Sequence, residues 1–262
     1  TLTMTGADWT YTIDNSAAAT NALAHDGSGN DVFTITVTDT SSTLTDDMTV
    51  TITVSGANDD PTLATAQADA SAAEDAAYSL DVSGNFADVD VGDSLSYTAT
   101  GMPTTMTMST AGVLSGTPVN ADVAAHTVVV TATDGTASVT DTFVVTVTNT
   151  NDAPTVASAN SAASTAEDAA YSLDASGTCT DVDASDTMAY TISGGPSTIT
   201  ATTAGVISGT PVNADVGAHT ITVTCTDDSS AATSATNQYV LTVTNVNDAP
   251  IFISTADITA QI

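Results

Sequence analysis

Residues 115–123 read Ser-Gly-Thr-Pro-Val-Asn-Ala-Asp-Val, and residues 208–216 read the same nine residues again, 93 positions later. Working outward at that offset, Ala73-Glu74-Asp75-Ala76-Ala77-Tyr78-Ser79-Leu80 matches Ala166 to Leu173, and Asp88-Val89-Asp90 matches Asp181-Val182-Asp183. Pro61-Thr62-Leu63 and Pro154-Thr155-Val156 open the two copies. Residues 61–153 and 154–249 are therefore two copies of one unit, and an internal repeat of this period means an array of small domains. The final strand of the second copy is displaced by three residues, an insertion near Asp228 to Asn237 of the kind a hairpin loop absorbs.

Within the repeat, apolar residues fall at every second position. Val128 to Ala132, Phe143 to Val147, Ile221 to Cys225 and Tyr239 to Val243 all alternate in this way, as do Val32-Phe33-Thr34-Ile35-Thr36-Val37 and Val50 to Val54 nearer the start. Period two gives a strand one buried and one wet face. Thr fills most of the wet positions, where β-branching suits the pleat. Long helix formers are nearly absent, so the chain reads as all-β, with each copy the length of one immunoglobulin-like β-sandwich.

Residues 1–60 relate to the back half of the same unit. Met4-Thr5-Gly6-Ala7-Asp8-Trp9 aligns with Met108 to Val113, and Thr36-Val37-Thr38-Asp39 aligns with Thr131-Ala132-Thr133-Asp134. Asn58-Asp59-Asp60-Pro61, Asn151-Asp152-Ala153-Pro154 and Asn247-Asp248-Ala249-Pro250 mark three junctions of one type, the signature of a linear array. The first module lacks counterparts of residues 61–104. Residues 250–262 read as the first strand of a following module, or as a strand donated to the open first module of another copy. The sequence is thus expected to be a window on a longer repeating polymer, covalent or assembled.

The chain carries 31 acidic side chains and no lysine or arginine, a formal charge of -31. Nucleic acid and acidic membrane surfaces are excluded as partners, since both are held by clustered Lys and Arg. No apolar run approaches the roughly 20 residues that span a bilayer, so no membrane insertion is expected. With no permanent cation inside, something else must offset the charge.

The Asn-Asp-x-Pro linkers and the Asp-x-Asp pairs resemble those of cadherin and bacterial cadherin-like repeats. The two full copies are similar to the dystroglycan-type cadherin-like domain, with Glu-Asp early and Gly-Thr-Pro at mid-module. The first segment, from Asp8-Trp9-Thr10-Tyr11 to Asn58-Asp59-Asp60-Pro61, is similar to the C-terminal half of the VCBS repeat of large bacterial surface proteins. The resemblance implies Ca2+ at the junctions. For the middle one it points to Glu74, Asn151, Asp152, Asp181, Asp183 and Asp227. For the preceding one it points to Asn58, Asp59, Asp88, Asp90 and Asp134, and for the following one to Glu167, Asn247 and Asp248. Asn120 and Asp122 fall where cadherins carry an Asp and a Glu around an arginine that this chain lacks.

The residues point the same way without the family. Calcium takes six to eight oxygens, and Asp, Glu and Asn supply them. The chain's two glutamates, Glu74 and Glu167, stand at equivalent positions, more than a generally acidic surface accounts for. The competing reading is that these aspartates are solvated turn formers. Asp46, Asp47 and Asp69 are left to the surface.

Cys179 and Cys225, each two residues before an implied ligand, stand in the relation of the B–F bridge of immunoglobulin sandwiches. A disulfide between them is expected, with two free buried thiols as the alternative. No His lies at zinc-ligand spacing from them. His126 and His219 are equivalent and read as structural residues at the start of a core strand, and nothing forms a Ser-His-Asp or phosphate-loop constellation. The expectation is a non-enzymatic, extracellular or cell-surface structural protein that self-associates or abuts neighbouring repeats of the same protein. The alternative is an adhesin repeat that binds carbohydrate or a protein partner.

Overall fold

The computed structural model describes residues 2–5, 8–14, 17, 20, 22–23, 27–229 and 232–250. The chain divides into two compact units, Thr1–Thr150 and Asn151–Ile262. Its regular structure is almost wholly strand, as the alternation requires.

In the first unit, β1 (Leu2–Thr5) pairs antiparallel with β2 (Asp8–Tyr11), and β3 (Ser28–Thr38) with β4 (Thr45–Ser55). Phe33, Ile35, Val50 and Ile52 face one side of the long hairpin, yet among the described residues before Pro61 none is fully buried. The expectation of one buried face therefore meets only half-buried residues here. The physical reason is that among the described residues only two two-stranded sheets meet here, too little to close over the apolar face. An open groove of about 300 Å³ runs between Leu2, Trp9, Tyr11, Ile35, Met48, Val50 and Ile52.

The same unit continues with β5 (Thr62–Leu63), β6 (Ala70–Ala73), β7 (Tyr78–Asp81), β8 (Phe86–Ala87), β9 (Ser96–Thr100), β10 (Met106–Met108), β11 (Val113–Gly116), β12 (Ala125–Thr133) and β13 (Ser138–Thr148). A four-stranded sheet in the order β6-β13-β12-β9 faces a three-stranded sheet in the order β10-β11-β7, and β5 pairs with β8. Val128, Val130, Ala132, Phe143, Val145, Tyr97, Met106 and Leu114 fill the core between them. β6 runs parallel to β13, and every other pairing in this sandwich is antiparallel.

The second unit repeats the plan with β14 (Thr155–Val156), β15 (Ala163–Ala166), β16 (Tyr171–Asp174), β17 (Cys179–Thr180), β18 (Ala189–Ser193), β19 (Ile199–Ala201), β20 (Val206–Gly209), β21 (Gly217–Thr226) and β22 (Ser234–Thr244). Its sheets are β15-β22-β21-β18, β16-β20-β19 and the short pair β14-β17. Residues 251–262, expected to form a following or donated strand, lie outside the described residues.

The repeated motifs have local reasons. Asp75 and Asp168 both sit at φ 58°, a left-handed conformation that Asp and Asn tolerate better than most residues. Each turns the chain immediately after its glutamate, and the Asp N–H donates to the carbonyl of Pro118 or Pro211 in the nine-residue repeat. In that repeat a Cβ on Gly116 would lie 2.5 Å from the Thr105 carbonyl oxygen, and one on Gly209 would lie 2.0 Å from that of Thr198. Only glycine lets the neighbouring strand approach so closely.

Candidate metal centre

In the first unit the linker folds onto the sandwich through its own polar groups. Asn58 Nδ2 donates to Asp134 Oδ2 at 3.0 Å and to the Asp59 carbonyl at 2.9 Å. The Asp59 N–H donates to Asp90 Oδ2 at 2.9 Å, and the Asp90 N–H donates to Asp88 Oδ1 at 2.9 Å. Asp134 takes the Thr136 and Ala137 N–H groups on Oδ1. Donation from Ala137, then Thr136 and Asn58, holds its carboxyl below the usual carboxylate range. Asp90 is 4% exposed, and Asp90 Oδ1 and Asp88 Oδ2 are buried without a hydrogen-bond partner.

The second unit builds the same arrangement from the equivalent residues. Asn151 Nδ2 donates to Asp227 Oδ2 at 3.3 Å, the Asp152 N–H to Asp183 Oδ2 at 2.8 Å, and the Asp183 N–H to Asp181 Oδ1 at 3.0 Å. Asp227 also accepts from the Ser229 hydroxyl at 2.6 Å and from the Thr233 hydroxyl. Those two hydroxyls, with Asn151, bring its carboxyl down to about 2. Asp181, Asp186 and Asp227 each direct one carboxylate oxygen into a cluster whose members all lie within 4.8 Å of one another. Asp181 Oδ2 and Asp186 Oδ2 are buried and unpartnered. Burial, followed by the charges of Asp183 and Asp228, pushes the Asp186 carboxyl up.

The glutamates behave identically in the two units. Glu74 and Glu167 are each 1% exposed. Glu74 Oε1 accepts the Thr150 N–H at 2.7 Å and Glu167 Oε1 accepts the Val246 N–H at 2.7 Å, while Oε2 of each has no partner. Their backbone N–H groups donate to Thr148 and Thr244 at the ends of β13 and β22. Asn247 and Asp248, by contrast, are exposed, and Asp248 accepts from Asn213 Nδ2 at 2.9 Å.

Asp186 and its equivalent Asp93 escaped the sequence reading. The signal was present: each lies three residues after the second Asp of the Asp-x-Asp pair, at the same offset of 93. Asp228, in the inserted segment, was missed because it has no counterpart in the sister module. Asp122 is held within the sandwich. It is 1% exposed and takes the Thr104 N–H and hydroxyl, the Thr105 hydroxyl and the Val119 N–H. His126 and His219 place Nε2 2.7 Å from the carbonyl oxygens of Asp122 and Asp215. Cys179 and Cys225 are joined by a disulfide, Cα to Cα 6.4 Å, inside the core.

All the donors brought together are oxygens, and several are buried anions without a partner. That chemistry fits a hard divalent cation and not a thiolate- or imidazole-seeking one. With -31 of formal charge and no lysine or arginine, the chain has no permanently cationic side chain to place there.

Fold and repeat together define a protein of tandem immunoglobulin-like β-sandwiches with cadherin-like junction motifs. The family described as "Putative Ig domain" matches residues 60–148 and again 153–244, and the chain belongs to it. No curated protein matches. Among solved structures, mouse cadherin-23 EC22-24 is 14% identical, with 91% of this chain and 78% of that one covered at a TM-score of 0.53. The PcdhgB3 EC1-4 structure is 18% identical, with 84% and 58% covered and a TM-score of 0.53. These identities mark a shared fold. The endo-fucoidan hydrolase MfFcnA4 from glycoside hydrolase family 107 is 23% identical at a TM-score of 0.35, and 37% of its length is spanned by this chain.

Proposed function

We propose that this chain is a calcium-stabilised structural repeat of an extracellular or cell-surface protein, with Ca2+ at its Asn-Asp linkers stiffening the modules into a rod or filament. One observation carries the reading: both units bury carboxylate oxygens without a partner at repeated positions, in a chain without Lys or Arg. Glu74, Glu167 and Asp90 are the most deeply buried of these. A buried, uncompensated carboxylate costs several kcal/mol, roughly, so a sequence that repeats one is built around a cation. Asn58, Asp59, Asp88, Asp90 and Asp134 would supply donors at one linker, and Asn151, Asp152, Asp181, Asp183 and Asp227 at the next. Asn247 and Asp248 would serve a third. The protein does no chemistry in this reading; its partners are calcium and further repeats of the same protein.

Metal content tests it. The purified chain, dialysed against micromolar calcium and analysed by mass spectrometry, should retain stoichiometric calcium, and a chain with Asp90→Asn and Asp183→Asn should retain less. Retention unchanged by the double substitution would refute the assignment.

The adhesin reading has one observation in its favour. The groove beside Trp9, which is 47% exposed, offers an aromatic and apolar surface in the first module. Binding of a glycan array by the chain, lost on Trp9→Ala, would move the assignment to that reading.

A further inference from the structure

Asp181 and Asp227 enter their cluster from strands that no ladder joins. Asp181 follows β17, a strand of two residues whose pairing is to β14, through Thr155 with Thr180 and Val156 with Cys179. Asp227 follows β21, which pairs with β18 and β22 in a different sheet. No strand pairing therefore fixes the distance between the two carboxylates, which are otherwise tied through side-chain bonds, such as those from Asn151 to Asp227 and from the Asp152 N–H to Asp183. The disulfide does span that gap, because Cys179 and Cys225 each lie two residues before one of them. Each carboxylate stands one residue past the end of its strand, β17 ending at Thr180 and β21 at Thr226, so the bridge lies within one turn of chain of both.

The sister module is the natural comparison. There the bridge positions hold Phe86 and Ala132, both buried in the core, with Phe86 edge-on to Tyr97 at 5.7 Å. The two positions are joined there by core packing and not by a covalent bond. The second unit differs in carrying Asp228 from its inserted segment, held beside the cluster by the Thr187 N–H at 2.9 Å and hydroxyl at 2.7 Å. Without a cation, like charges this close drive the two strands apart.

We infer that the Cys179–Cys225 disulfide is a positioning device for the cation cluster of the second unit: it holds the Asp181 and Asp227 strand ends at binding distance, so that reducing it weakens calcium there and not in the first unit. The inference rests on the proposed calcium binding. A prearranged ligand set binds more tightly because the cost of assembling it has been met on folding.

The test is a calcium titration of the full chain followed by amide NMR, reading residues 181–186 for the second unit and 88–93 for the first. It is run on the bridged protein, on the protein reduced with a phosphine, and on Cys179→Phe/Cys225→Ala, which installs the sister module's pair and keeps the core filled. The expected result is a dissociation constant roughly tenfold higher at 181–186 in both unbridged forms, the scale on which supporting residues act on a metal site, with 88–93 unchanged. Equal constants with and without the bridge overturn the inference, as does unfolding of the second unit on reduction at saturating calcium, which would make the bridge a stability element alone. A bridged protein that binds no calcium at either segment refutes the calcium reading itself.

Discussion

Glu167 shows what a single residue contributes to this account. Its Oε1 is satisfied by the Val246 N–H and its Oε2 is buried without a hydrogen-bond partner. Glu167→Gln removes the charge and keeps the shape, so its effect on stability should change sign with the cation. In chelator the variant should be more stable, by about 1–3 kcal/mol, because a buried neutral amide costs less than a buried uncompensated charge. At saturating calcium it should be the less stable of the two. Paired urea melts with and without calcium check this. Asp122 makes the opposite case of a buried carboxylate that needs no ion. Burial pushes its carboxyl up, but donation from the Thr104 and Thr105 hydroxyls and from the Thr104 and Val119 N–H groups outweighs that and holds it well below the usual range. A folded carboxyl lowered in this way adds stability above its unfolded pKa of about 3.9, and that stability drains away as pH falls further. Asp122→Asn should therefore cost roughly 2–3 kcal/mol at pH 7, and its gap from the parent should narrow as a urea series is carried from pH 5 to pH 2.

Among the elements, β11 comes close to the start of β10 at Gly116. A Cβ there would meet the Thr105 carbonyl oxygen at 2.5 Å and Met106 Cα at 2.8 Å. Gly116→Ala must push the two strands apart and should cost about 1–3 kcal/mol, the usual range for overpacking. Differential scanning calorimetry should show the first unit's transition falling while the second unit's stays in place. The long strands were legible in the sequence because Val128 to Ala132 or Ile221 to Cys225 alternate over enough residues to declare a face. β5, β8, β14 and β17 were not, since two residues carry no period. The linker carboxylates and amides were legible as candidates because Asn-Asp-x-Pro recurs, whereas Asp186 lies outside the Asp-x-Asp pair and no motif marks it. The role of Asp122 was hidden for a different reason. Its donors Thr104 and Thr105 are brought to it only by the folded sandwich, and no local pattern announces them.

For the whole molecule, charge dominates. A chain at -31 without lysine or arginine is destabilised by its own field, and screening or bound cations relieve it. Two effects of calcium are thus separable: general screening, which magnesium or sodium at equal ionic strength would share, and specific binding at the repeated carboxylates, which they would not. A ligand that binds only the folded state raises stability by mass action, by about 2.7 kcal/mol at a hundredfold excess over its dissociation constant. The direct test is the melting temperature of the intact chain as free calcium is raised from chelator to millimolar at fixed ionic strength. A melting temperature that climbs steadily with the logarithm of free calcium, and that magnesium does not reproduce, is the predicted result. Superimposable melting curves in chelator and in millimolar calcium would contradict the account.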